Sequence, residues 1–244
     1  MPTGRPAVVA HRGHSAVAPE NTLAAVAAAR RARADWIEVD VRTSTDGVPV
    51  VIHDRTVDRT TGGTGAVAEL TAAQLTALDA GSWFSADGFG GEPVPTFAGV
   101  LDDVRRRGGR LLVEIKRPQS PAGVAALIAM IRECRLTRRV MVQSFDPAIV
   151  AAAREAAPEL PRALLTDGLH EDPVNVCREV GARAYHPTVE DVLANPGVVD
   201  ELHAAGLAVM VWTANEDALW PALSAASVDG IITDRAGDLR GRLH

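Results

Sequence analysis

Short runs rich in Val and Ile alternate along this chain with longer, alanine-rich runs of helical period. The extended runs predict strands over 7–10, 36–41, 111–116, 140–144, 163–166, 184–186, 208–213 and 230–233. Helices are predicted between them, over 22–33, 97–107, 123–135, 147–156, 173–180, 198–205, 216–225 and 236–242. A strand followed by a helix, repeated about eight times, specifies an α/β protein with a parallel sheet. Right-handed crossovers can close such a sheet into a (β/α)8 barrel, and 244 residues is an ordinary length for one. An open, doubly wound sheet has the same local pattern, and periodicity alone does not separate the two.

One segment breaks the rhythm. Residues 48–53 form an additional extended run, and 54–95 lack the barrel period. That stretch holds Thr60-Thr61-Gly62-Gly63-Thr64-Gly65, a short predicted helix over 71–78, and a glycine-rich turn at 88–91. It reads as a small insertion after the second barrel strand, placed over the barrel mouth, where long strand-to-helix loops build sites. The Thr-Gly run lacks a following lysine and a strand-to-helix setting, so it is not a P-loop. No linker divides the chain, and residues 1–244 read as one domain.

The ends of the predicted strands are unusually polar: His11-Arg12, Glu38-Val39-Asp40, His53-Asp54, Glu114-Ile115-Lys116, Gln143-Ser144, His186, Trp212-Thr213 and Asp234. Alternate residues of a strand share a face, so Glu38 and Asp40 point the same way, as do Glu114 and Lys116. If that way is inward, three carboxylates converge and repel one another, and a hard divalent cation such as Mg²⁺ or Ca²⁺ relieves that repulsion. Ion pairs with strand-end arginines are the plainer alternative for a single such pair; two pairs beside two histidines favour the metal. His11 and His53 fit an acid/base pair, because an imidazole titrates near neutrality. Arg12 and Lys116 fit charge balance or the holding of phosphate oxygens. Gly13 would let the backbone approach a ligand, and Asn21 reads as the cap of the first helix. Glu20 reads either as a partner of Arg12 or His11 or as a first-turn acid. His186 is a candidate pocket-lining residue, while His14, His170, His203 and His244 are assigned to the surface or to loops. Trp212 and the pair Trp83-Phe84 are candidate apolar walls of a substrate pocket.

A net charge of −6 gives no general attraction to nucleic acid or to an anionic membrane. Cys134 and Cys177 show no metal or redox spacing and read as unpaired thiols. The apolar run at 7–10 is too short for a signal-peptide core, and no stretch approaches the roughly 20 apolar residues of a membrane span. A cytoplasmic protein without stable membrane insertion is therefore expected. Nothing in the sequence assigns an oligomeric state.

The motifs taken together resemble the glycerophosphodiester phosphodiesterase family, in its bacterial, cytoplasmic type. The resemblance rests on Ala10-His11-Arg12-Gly13, Pro19-Glu20-Asn21-Thr22, Ile37-Glu38-Val39-Asp40, Ile52-His53-Asp54, Val113-Glu114-Ile115-Lys116, Gln143-Ser144-Phe145, Val211-Trp212-Thr213-Ala214-Asn215 and Asp229-Gly230-Ile231-Ile232-Thr233-Asp234. These follow in the family's order over nearly the whole chain. The resemblance implies a TIM barrel with one divalent cation on Glu38, Asp40 and Glu114. It implies His11 and His53 as general acid and base, Arg12 and Lys116 on the phosphate, and Trp212 with Phe84 at the glycerol or head-group side. The implied substrate is a small glycerophosphodiester, cleaved to sn-glycerol 3-phosphate and an alcohol.

Three rivals share parts of this pattern. A barrel phosphodiesterase acting on lysophospholipids or sphingolipids would show a secreted leader or an apolar membrane-facing loop. A metal-dependent sugar-phosphate aldolase or lyase does not account for the paired histidines. A non-catalytic binding module has no use for them.

Overall fold

A computed structural model describes residues 4–243. Its strands are β1 (Ala7–Ala10), β2 (Trp36–Thr43), β3 (Pro49–Val51), β4 (Leu111–Ile115), β5 (Val140–Ser144), β6 (Arg162–Leu165), β7 (Ala184–His186), β8 (Ala208–Val211) and β9 (Gly230–Thr233). All but β3 are parallel and form a ring, β1-β2-β4-β5-β6-β7-β8-β9, that returns to β1. The pairing of β1 with both β2 and β9 separates a closed barrel from an open sheet, and it removes the two unpaired edges that an open sheet would present. β3 lies outside the ring, antiparallel to β2. That partner carries β2 to Thr43, beyond the predicted end at 41.

Alternation within each strand sorts the side chains into two cores. Val8, Ala10, Ile37, Val39, Val41, Leu111, Val113 and Ile115 face outward and pack under the helices. Val9, Leu112, Met210 and Ile232 face inward, with Trp36, Met141 and Trp212 against them, and fill the barrel. Each large apolar side chain buried in this way contributes about 1.5–3 kcal/mol before chain entropy is counted. The helices follow the expected rules. Phe97–Arg107 buries Phe97, Val100, Leu101 and Val104, an i, i+3, i+4, i+7 stripe, and Thr96 caps it by accepting a hydrogen bond from Gly99 N.

The insertion after β3 has a small core of its own, built from Val50, Ile52, Val57, Val67, Leu75, Ala80 and Val94. Within it, Ala72–Thr76 is a single helical turn closed by a capping box between Thr71 and Gln74. Two further helical segments, Ser82–Phe89, which is broken by a kink at Ser85, and Val189–Ala194, lie outside the predicted periods. Val189–Ala194 has six residues, too few to display a stripe, and its start is set by Thr188, whose Oγ1 accepts from Asp191 N. No helix among the described residues is long and apolar enough to cross a membrane.

Candidate active site

The inward parity that fills the barrel with Val9, Leu112, Met210 and Ile232 continues, residue by residue, into the polar strand ends. His11, Glu38 and Asp40, Glu114 and Lys116, Gln143 and Phe145, Trp212 and Asp234 each lie an even number of positions from an interior residue of their own strand. Most of them, with Arg12 and His53, line one cavity of 140 Å³: His11, Arg12, Glu38, His53, Glu114, Lys116, Gln143, Phe145, Leu165, Trp212, Thr213 and Ile232.

Register places the acids. β2 and β4 pair with Asp40 opposite Glu114, and Glu38 one inward step below Asp40. Each of the three offers an oxygen, and these oxygens lie within 4.8 Å of one another. All three residues are buried. Burial, and then the charges of Asp40 and Glu114, push the Glu38 carboxyl well above its ordinary value. Burial and Asp40 likewise raise Glu114 to about 7. Burial alone would raise Asp40 too, but Lys116 and Arg12 outweigh it and hold that carboxyl below the usual range. Lys116 Nζ sits 2.9 Å from Asp40 Oδ1 and 2.5 Å from Glu114 Oε1. Glu38 Oε2 accepts a hydrogen bond from Arg12 N at 2.8 Å, while its Oε1 is buried without any partner. An unpartnered buried carboxylate oxygen among two further acids fits a hard divalent cation, the ligand that oxygen lacks.

Both histidines are held by carboxylates. His11 Nδ1 lies 2.7 Å from Asp234 Oδ1, which also accepts from Ser15 Oγ, while Asp234 Oδ2 accepts from Asn215 Nδ2. His53 Nδ1 lies 2.6 Å from Asp54 Oδ1, and Arg59 Nε donates to Asp54 Oδ2. In each ring the carboxylate favours a proton on Nδ1 and leaves Nε2 for chemistry. Hydrogen bonds from Arg59 are the main reason that Asp54 is lowered to about 2. Burial lowers the His53 imidazole below its ordinary value; Asp40 opposes this, and Lys116 and Arg12 add to it.

Several residues take roles that the sequence reading did not assign. Thr22, not Asn21, caps the first helix, its side chain accepting from Ala25 N. Asn21 instead clamps Asp40 at two points: its Nδ2 donates to Asp40 Oδ2 at 2.8 Å and its Oδ1 accepts from Asp40 N at 3.0 Å. It does so from a left-handed backbone (φ 59), which Asn tolerates better than most residues. Glu20 takes the first of its two expected roles, pairing with Arg12 from ahead of the helix, and adds a second partner in Arg59. At Gly13 the backbone comes close to the protein's own first helix. At φ 80, a Cβ there would lie 2.6 Å from the Ala25 carbonyl carbon, so the glycine lets the turn after β1 pack on the first helix.

His186 does not line the cavity. It is wholly buried, and its Nδ1 bonds Gln143 Oε1 at 2.7 Å, so it orients a residue that does. Phe84 is also placed elsewhere, edge-on between Trp83 and Phe89 within the insertion. The aromatic that joins Trp212 in the cavity is Phe145, with ring centroids 5.4 Å apart. His14 sits in the turn after β1, as expected of a loop residue, but it is buried and accepts from Gly237 N. His203 lies on a helix, half-buried against Asp229, and His244 falls outside the described residues. Cys134 and Cys177 are both free.

Paired imidazoles facing the same space as an acidic cage and two cations, at the mouth of a (β/α)8 barrel, define the chain as an enzyme of the phosphodiester-hydrolase class. The model of the glycerophosphoryl diester phosphodiesterase family matches residues 11–238, and the chain belongs to that family. It is 35% identical to a glycerophosphodiester phosphodiesterase of Caldanaerobacter subterraneus subsp. tengcongensis, over 93% of each chain. Among solved structures, it is similar to a glycerophosphodiester phosphodiesterase from Agrobacterium tumefaciens (TM-score 0.86, 34% identity, 97% of this chain and 99% of that one). It is also similar to an Oleispira antarctica phosphodiesterase in complex with the product sn-glycerol-3-phosphate (TM-score 0.87, 28% identity, 97% of this chain and 96% of that one).

Proposed function

We propose that this enzyme hydrolyses glycerophosphodiesters to sn-glycerol 3-phosphate and an alcohol, with His11 and His53 as the acid/base pair. The observation that carries the reading is the matched tethering of the two rings: each has Nδ1 on a carboxylate, and both line one cavity with Arg12 and Lys116. Glu38, Asp40 and Glu114 would hold one divalent cation, Mg²⁺ or Ca²⁺. When bound, that cation supplies positive charge against the phosphoryl oxygens. The sn-glycerol-3-phosphate held by the Oleispira antarctica relative supports the assigned product.

Arg12 and Lys116 bind the diester's phosphate oxygens and offset the charge that grows as phosphorus becomes five-coordinate. Glu20 holds the Arg12 guanidinium at 2.9 Å, and Arg12 Nε lies 3.5 Å from Asp40 Oδ2, an ion-pair distance rather than a hydrogen bond. Nε2 of one histidine takes the proton from the substrate's neighbouring glycerol hydroxyl, whose oxygen attacks phosphorus. Nε2 of the other gives its proton to the departing alkoxide, leaving a five-membered cyclic glycerol phosphate. Water then opens the ring, deprotonated by the second histidine and with the ring oxygen reprotonated by the first, so both return to their starting states. Trp212 and Phe145 wall the apolar side of the glycerol. The 140 Å³ cavity takes the phosphoglycerol unit, with the rest of the diester outside it.

The test is an assay of chelator-stripped protein on glycerophosphocholine and glycerophosphoethanolamine, with Mg²⁺ or Ca²⁺ restored and sn-glycerol 3-phosphate detected by a coupled dehydrogenase. Metal-dependent release that falls at least about 1,000-fold in both His11→Ala and His53→Ala is expected. Release without added metal, or full activity in either variant, would overturn the mechanism.

A further inference from the structure

Beside the active-site cavity lies a second, larger one of 590 Å³, lined by Arg42, Thr43, Arg55, Ala66, Val67, Ala68, Lys116, Arg117 and Pro118. Lys116 borders both, so a side chain proposed to bind phosphate stands between the two spaces. Four of the lining residues are cations and none is an acid. Among the described residues, Arg42, Arg55 and Arg117 form no ion pair, whereas Arg12 is paired with Glu20 and Asp40, and Arg59 with Glu20 and Asp54. Arg42 lies two residues beyond Asp40 on β2, just as Lys116 follows Glu114 after β4, so both cations stand one step outward from the paired acids. Arg42 is also fixed in place: its Nε donates to His53 O at 2.7 Å and its Nη1 to Arg117 O at 3.0 Å.

We infer that this groove receives the leaving-alcohol side of the diester and selects alcohols that carry a negative charge of their own, such as a phosphorylated polyol. The inference rests on the glycerophosphodiesterase reading above. An anion attached beyond the scissile phosphate would meet three guanidinium groups that form no ion pair, and such groups bind phosphate and carboxylate through paired N–H donors. A quaternary ammonium would meet the same charges as repulsion, and the groove has no aromatic ring to hold one.

The experiment compares kcat/KM of the metal-restored enzyme for glycerophosphoinositol and glycerophosphoinositol 4-phosphate, which differ only in the charged group, with glycerophosphocholine as the cationic case. The wild type is expected to favour the 4-phosphate by about tenfold or more at low ionic strength, with the preference shrinking as salt is added. In the double variant Arg55→Gln/Arg117→Gln the ratio should fall to within about threefold of unity. Because the readout is a ratio, partial loss of folded protein does not mimic that result. Equal kcat/KM for the two inositol substrates in the wild type, or a preference that survives in the double variant, overturns the inference and leaves the glycerophosphodiesterase reading intact. Hydrolysis of none of the three would overturn both.

Discussion

His11 Nδ1 and Asp234 Oδ1 stand 2.7 Å apart although the residues are 223 positions apart in the chain. The contact exists because β1 and β9 pair with Ala10 opposite Thr233, so the next residue of each strand emerges side by side at the barrel mouth. Burial would raise the Asp234 carboxyl, but its bond to His11 outweighs this and lowers it to about 2, keeping the group ionised at any working pH. An ionised acceptor at Nδ1 selects the tautomer that leaves Nε2 unprotonated, and it stabilises the imidazolium once a proton arrives.

Replacing that acceptor with an amide of the same shape tests this relationship. Asp234→Asn should lower kcat by about 100-fold or more, because the amide N–H₂ can turn toward Nδ1 and favour the wrong tautomer. KM should stay within about threefold, since Asp234 does not line the 140 Å³ cavity that would hold the substrate. Steady-state kinetics on a glycerophosphodiester decide the point, and a kcat within threefold of wild type would show that the pair is only structural.

Asn21 offers a separate test of the acidic cage. Its amide holds both the backbone and the side chain of Asp40, and partners of this kind typically change metal affinity by about 10–100-fold. Asn21→Gly keeps the left-handed backbone without strain, so any loss reports the amide alone. Calorimetric titration with Mg²⁺ and Ca²⁺ should show that weakening, with much of the activity recovered at saturating metal. An unchanged Kd would remove Asn21 from the cage.

His186 makes a prediction about acid stability. Burial lowers its imidazole to about 3, so it is neutral in the folded protein over a range where the unfolded chain is protonated. The unfolded state therefore takes up the extra proton as pH falls below about 6.5, and stability declines from there toward pH 3, by up to about 1.4 kcal/mol per pH unit. His186→Gln, whose amide can still donate to Gln143, should be about 1–3 kcal/mol less stable at pH 8. Its stability should then fall less steeply than wild type between pH 6 and 4. Urea unfolding at several pH values measures both slopes, and parallel slopes would contradict a buried neutral His186.

Much of the site was legible from local pattern. Glu38 with Asp40 and Glu114 with Lys116 share faces because a strand repeats every two residues, whatever it packs against. The predicted bounds held for β1, β5, β7 and β9 because turn residues flank these short runs closely. Other assignments required neighbours that propensity does not specify. Asn21 followed by Thr22 presents two good capping residues, and only the approach of Asp40 shows that the first is occupied elsewhere. Trp83-Phe84 and Phe145 are equally apolar as sequence, yet Phe145 continues the inward parity of β5 while Phe84 belongs to a helix of the insertion. His186 also has inward parity, but it stops one layer short of the cavity and reaches it through Gln143 and, by its backbone carbonyl, through Trp212.

The sequence by itself determined which side chains share a strand face, where carboxylates, imidazoles and cations fall on the strands, and which family they resemble. Those properties follow from the two-residue repeat of the backbone and the chemistry of the side chains, and both are local. The tertiary structure alone decided that the sheet closes, that His11 is held by Asp234, that Asp40 faces Glu114 across a register, and that Arg42, Arg55 and Arg117 share a groove with Lys116. Each of these depends on strand order and register, which are set by packing the whole ring at once.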